Sequence, residues 1–138
     1  MILAYQGAPG DLIKAAADNG AKGIVIAGAG AGATSGTQSE GMTYAAGKGV
    51  VLVTSTRTGS GRIAARRATP PAGAASTGGR GAGAAQPATA APAGAAPTIR
   101  RAYIAAEDLT PIKARILLML ALAVTNDPDE IQRMFIEY

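Results

Sequence analysis

The chain has 138 residues, 48% of them hydrophobic but only 4% aromatic, which fits one modest domain with a core of Ile, Val, Leu and Met. It has no Cys and no His, so disulfides, thiolate or imidazole metal sites and His-based triads are excluded, and neither a metal nor a cofactor is expected. The formal charge of +4 is uneven: no acid lies between Glu40 and Glu107, that gap carries +8, and the rest of the chain carries −4. A scattered basic segment without aromatic residues does not suggest specific nucleic-acid binding.

Met1 to Tyr5 is short and apolar, as in a strand, and lacks the charged start of a signal peptide. Pro9-Gly10-Asp11 punctuates it, with Asp11 able to cap a helix over Leu12 to Asn19. Gly20 suits the left-handed position that ends such a helix. Gly23-Ile24-Val25-Ile26-Ala27 is a continuous β-branched run, the mark of a strand buried on both faces. A glycine loop, Gly28 to Gly36, precedes a short helix read from Ser39 to Lys48, and Val50-Val51-Leu52-Val53 is a third buried strand. This strand–helix alternation requires right-handed crossovers and a parallel sheet.

Thr58 to Arg101 is almost entirely Ala, Gly, Pro, Thr, Ser and Arg. It has too little apolar area to offset chain entropy, so it reads as a disordered insertion. Residues 102–105 offer a fourth strand. Thr110 is placed to cap the next helix, with Pro111 in its first turn where a missing N–H costs nothing. The apolar run Ile116 to Val124 suits either core or an oligomer face, and is well short of the roughly 20 residues of a membrane span. Pro128 opens a last helix, where Ile131, Met134, Phe135 and Tyr138 form one stripe. Asp108, Asp127 and Asp129 read as acids favoured at helix starts, and Lys113 and Arg115 as solvated charges.

These elements predict an α/β fold: a small flavodoxin- or Rossmann-like three-layer domain with about four parallel strands. Residues 1–57 and 102–138 would form one domain, interrupted by the insertion at 58–101. Gly28-Ala29-Gly30-Ala31-Gly32-Ala33 satisfies the dinucleotide pattern G-x-G-x-x-A after a strand. However, Val53-Thr54-Ser55 stands where that pattern wants an acid, and no helix begins at once. The loop still leaves the C-terminal end of a strand, where open α/β sheets bind ligands. Gly30, Gly32, Ala33, Thr34 and Ser35 are therefore the candidate substrate-binding or interface residues.

Three motifs together resemble bacterial L-asparaginases. Asp108-Leu109-Thr110-Pro111-Ile112-Lys113-Ala114-Arg115, then an Ala/Leu helix, Asn126-Asp127-Pro128 and an Ile131-Gln132…Phe135…Tyr138 ending follow the order of the family's C-terminus. Ala27 to Ala33 is similar to its A-G-x-G-N-G-N loop, and Val53 to Arg57 with Gly61 to its V-x-S-S-R…G turn. The resemblance implies the second of two domains, packed on an N-terminal domain within a homo-oligomer built as dimers of dimers. Full-length members are cytoplasmic or periplasmic, and they hydrolyse L-asparagine to L-aspartate and ammonia through an acyl-enzyme. The family's nucleophilic T-G-G-T-I and its T-D-T segment do not occur here. Its substrate-reaching second Asn falls on Ala33, and no acid lies in the loop where it places a Glu. The implied role is support of a subunit interface, with no catalytic residue in this chain. From the residues alone, a stand-alone flavodoxin-like module binding a nucleotide or small ligand is the alternative.

Overall fold

The computed structural model describes residues 1–65 and 102–138. Four strands, β1 (Ile2–Leu3), β2 (Gly23–Gly28), β3 (Val51–Thr56) and β4 (Tyr103–Ala105), form one parallel sheet in the order β1-β2-β3-β4. The register pairs Gly23 with Val51 and Gly28 with Thr56, so β2 and β3 match over their full length. Alternation then sorts the side chains. Ile24, Ile26 and Leu52 face α1 (Asp11–Asp18) and α2 (Gln38–Gly47). Val25, Val51, Val53 and Ile104 face α3 (Pro111–Val124) and α4 (Pro128–Glu137). The result is the expected three-layer α/β arrangement, with a core on each side of the sheet.

The two layers are packed differently. Next to α1, a Cβ on Gly41 would stand 2.5 Å from the Gly10 carbonyl oxygen, and one on Gly10 would stand 2.4 Å from that of Thr37. The starts of α1 and α2 therefore meet backbone to backbone, helped by the Gly10 N–H donating to Thr37 Oγ1 at 2.9 Å. At their far ends Tyr44 and Lys48 both donate to the Asp18 carboxylate. On the other face the contacts are bulkier. Leu118, Ile131 and Phe135 are almost fully buried, and burying such a side chain contributes about 1.5–3 kcal/mol. Gln132 reaches the outer edge of β4: its Oε1 accepts from the Ala105 N–H at 2.8 Å, and its Nε2 donates to the Ala105 carbonyl at 3.2 Å.

Several helix ends differ from the sequence reading. Asp11 is the first residue of α1, with Gly10 at the cap position, and α2 begins at Gln38 rather than Ser39. Thr110 precedes α3 as expected, but its hydroxyl makes no cap bond. Asp127 does cap α4, accepting from the Asp129 N–H at 3.0 Å. Tyr138 lies beyond the last helical turn and is 80% exposed, so the apolar stripe of α4 ends at Phe135. The segment expected to be an insertion from Thr58 onward is placed through Ala65, where Ile63 is buried and bridges Glu107. Residues 66–101 lie outside the described residues, and the expectation of disorder there with them. Among the described residues, no helix is long and apolar enough to cross a membrane.

Candidate functional site

The loops leaving the C-terminal ends of the strands gather at one end of the sheet. After β2 the chain turns back on itself. The Ala29 N–H donates to the Ala33 carbonyl at 2.9 Å, and the Ala33 N–H returns to Ala29 at 2.8 Å. A Cβ on Gly28 would stand 2.4 Å from the Gly32 backbone, so only glycine permits this closure. Gly30 and Ala33 project to solvent, whereas Gly32 is buried with φ +88°. Thr34 and Ser35 are half-buried. Ser35 Oγ accepts from the Gly7 N–H at 3.0 Å, tying this loop to the one after β1. Buried Gln38 continues the tie by donating to the Leu3 carbonyl at 3.0 Å.

This geometry removes the basis for the nucleotide reading. Closure uses the Ala29 and Ala33 N–H groups internally, and α2 starts only at Gln38. No helix N-terminus is offered to a pyrophosphate at the glycine turn. The strand order also runs without reversal among the described strands, so it has no switch-point crevice of the kind that holds dinucleotides.

A second loop cluster lies after β3 and β4. Thr56, Gly59, Ser60, Gly61, Arg62, Asp108 and Thr110 line an open groove of about 400 Å³. None of the five candidate residues from the β2 loop lines it. The groove's rim is held by Glu107, which is 6% exposed and adopts φ +55°. Its carboxylate accepts from Arg62 Nε and from the Ala65 N–H, each at 2.6 Å. The Ile63 and Glu107 backbones exchange two further hydrogen bonds, at 2.8 and 3.1 Å. Glu107 keeps the Arg62 guanidinium pKa above its usual value through that hydrogen bond and its charge. Sequence reading missed this latch. Its one signal was that Glu107 is the first acid after the long acid-free gap.

Three hydroxyls near the groove bond to other neutral groups. Ser55 Oγ donates to the Leu109 carbonyl at 2.6 Å, and Thr56 and Thr58 share a bond of 2.8 Å. Thr54 Oγ1 is buried without a hydrogen-bond partner. Among the described residues no cluster of acids fit for a metal ion occurs, and no hydroxyl near the groove is hydrogen-bonded to a lysine or carboxylate base. A threonine without such a base is a weak nucleophile. Among the described residues, the groove's lining is of the kind that can line or cover a small ligand.

Comparison with known families decides what this arrangement is. The model of the glutaminase/asparaginase C-terminal domain matches residues 1–135. The chain belongs to that family. L-asparaginase 2 of Bacillus subtilis (strain 168) is 38% identical over 138 residues, covering all of this chain and 29% of that protein. A glutaminase-asparaginase of Pseudomonas fluorescens biotype A is 32% identical over 126 residues, 91% of this chain and 28% of its own. The crystal structure of a probable cytoplasmic L-asparaginase from Campylobacter jejuni superposes with a TM-score of 0.70 at 32% identity, covering 99% of this chain and 36% of that one. This asparaginase C-terminal domain thus spans less than a third of the curated relatives' length, and its glycine loop and groove are features of that one domain.

Proposed function

We propose that the chain acts as the C-terminal domain of an L-asparaginase, hydrolysing L-asparagine to L-aspartate and ammonia once assembled with an N-terminal domain. The observation that carries this reading is the family match along nearly the whole chain; among the described residues, no hydroxyl near the groove is hydrogen-bonded to a lysine or carboxylate base. The chain's own share is support. It packs on the N-terminal domain and builds the subunit interface of a homo-oligomer, closing a reaction site whose nucleophile lies outside residues 1–138. The β2 loop, with Gly30, Gly32, Ala33, Thr34 and Ser35, is the surface that approaches substrate or neighbouring subunit. Such contacts accelerate a reaction by excluding water and fixing substrate orientation.

The test is ammonia release from asparagine. The pure chain is expected to give none above background, and to restore turnover when mixed with a separately produced asparaginase N-terminal domain. Restored turnover should survive Thr34→Ala and Ser35→Ala. Ammonia release by the pure chain, abolished by one Thr or Ser substitution within it, would overturn this reading.

A further inference from the structure

The chain has two asparagines, Asn19 and Asn126, and their surroundings differ. Asn19 is exposed, stands just past the last turn of α1, and is followed by Gly20. Gly20 is exposed with φ +82°, and among the described residues no atom comes within 4 Å of where a Cβ would stand. With no side chain, its backbone nitrogen is unshielded and its dihedrals are free to change. Asn126 is followed by Asp127, whose N–H donates to Thr125 Oγ1 at 3.1 Å and whose side chain caps α4. Attack of the following backbone nitrogen on the asparagine amide carbon is therefore open at Asn19 and obstructed at Asn126. In the closed turn the reacting groups are kept apart. Asn19 Nδ2 donates to the Ala15 carbonyl at 2.8 Å, and the Gly20 N–H to that of Ala17 at 3.2 Å. At the Asn19 ψ of +13° the Gly20 nitrogen is turned away from the amide carbon. Ring closure needs that angle to rotate and both bonds to open.

Helix α1 has only eight residues, too few to hold a last turn by themselves. Beyond buried Ala17, that turn is pinned by Asp18, whose carboxylate accepts from Tyr44 of α2 and from Lys48 just past it. We infer that Asn19-Gly20 is a site of spontaneous covalent modification, and that the Asp18 tie to Tyr44 and Lys48 sets its rate. When the turn opens, the Gly20 nitrogen gives its proton to solvent base and bonds to the Asn19 amide carbon. The Cγ–Nδ2 bond breaks, and the nitrogen takes a proton from water and leaves as ammonia. Water then opens the five-membered imide at either carbonyl, leaving aspartate or its backbone-shifted isomer at position 19. The sum is amide plus water giving carboxylic acid plus ammonia. Neither product restores the end of α1. The new carboxylate cannot donate to the Ala15 carbonyl, stands next to Asp18, and puts an anion at the negative end of the helix dipole. The isomer also adds a methylene to the backbone before Gly20. One ammonia is released per chain, with no added asparagine, so the reaction is told apart from turnover and stands independently of the proposed function.

The test is storage of the full chain at mildly alkaline pH, followed by peptide mapping with mass spectrometry. The peptide carrying Asn19 should gain the mass that separates an acid from its amide, with the backbone-shifted isomer present, before the peptide carrying Asn126 does. Lys48→Met and Tyr44→Phe each remove one donor to Asp18 and should speed the reaction roughly two- to fivefold, the span of an exposed pair's contribution. Lys14→Met, which loses only an exposed pairing with Asp11 at the start of the same helix, should leave the rate unchanged. Asn19→Gln should stay unmodified, because its longer side chain would have to close a six-membered ring. The urea-unfolded chain should react roughly tenfold or more faster than the folded one, since two hydrogen bonds no longer have to open. Three results would overturn the inference. One is an Asn19 peptide that gains no mass in the folded chain over months of storage. Another is modification of Asn126 ahead of Asn19. The last is a rate indifferent to both Lys48→Met and Tyr44→Phe.

Discussion

On one face of the sheet, α1 and α2 touch through Gly10 and Gly41, and their outer sides carry Asp11, Asp18, Ser39, Glu40 and Lys48. On the other, α3 and α4 pack through Leu118, Ile131 and Phe135, and the outer side of α3 remains apolar. Both layers bury their sheet-facing sides, so the difference lies in the sides turned away from the sheet. The first layer faces water mostly with polar groups, Leu12 and Tyr44 being its exposed large apolar side chains. The second leaves Ile112, Ile116, Met119, Leu120 and Val124 exposed among the described residues.

Substitutions can break this contrast. The largest effect is expected at Leu118→Asp. Leu118 is 3% exposed and borders the site where Gly23 lacks a side chain, so a carboxylate there is buried without a partner. The loss should be about 3–5 kcal/mol, a large part of the stability of a small domain, read by urea unfolding. Any turnover restored by mixing with an N-terminal domain should disappear with it. Next is Gly41→Ala, whose added Cβ meets the Gly10 carbonyl at 2.5 Å. Overpacking against backbone should cost about 1–3 kcal/mol. A neutral outcome would show that the α1–α2 contact is looser than described.

Glu107→Gln belongs to the seam between the loops rather than to either face. It weakens the bonds to Arg62 and the Ala65 N–H while leaving the backbone conformation to be satisfied. Since Arg62 is largely exposed, about 1–2 kcal/mol is expected. Trypsin cleavage after Arg62 should become faster, because the strap carrying it is no longer held. The smallest effect is expected at Asp18→Asn, which removes an exposed tie. Hydrogen bonds from Lys48 and then Tyr44 hold the Asp18 carboxyl pKa below its usual 3.8, so that contribution is present above this value and lost as the pH falls below it. The Lys48 ammonium pKa is held above its usual 10.5 by the same bond, so its contribution is present below that value and lost as the pH rises past it. Between these limits, Asp18→Asn should lower the midpoint of thermal unfolding slightly, by less than any of the other three substitutions, because the pair is exposed. A drop near pH 7 as large as that of Gly41→Ala would mean that this polar surface does more than face water.

Much of the fold was legible because burial on both faces leaves continuous runs such as Ile24-Val25-Ile26 and Val51-Leu52-Val53. The glycine that ends α1 was legible too: Gly20 takes a φ of +82°. The helix starts were less so, because Thr37 and Thr110 occupy cap positions without using their hydroxyls as caps. Of the site, the glycine loop was located by pattern, but its self-closure was not, since it depends on backbone partners in space. Ser35 carries a hydrogen bond to Gly7 across 28 positions, a relation with no local signature. Glu107 was hidden for a similar reason. A charged residue beside a helix start is ordinary in sequence, and only the fold brings Arg62 and the Ala65 N–H to its carboxylate.

The grip of Gln132 on Ala105 has a consequence for how the sheet can be probed. Among the described residues β4 has β3 on one side, and the Ala105 amide is held by a helix side chain. Its hydrogen-exchange rate therefore reports the docking of α4, while its neighbours within β3 report opening of the sheet itself. That one amide is a built-in gauge of whether the last helix has lifted away. The same grip occupies the ladder position an invading strand would need, so templated growth from this edge must first undock a helix.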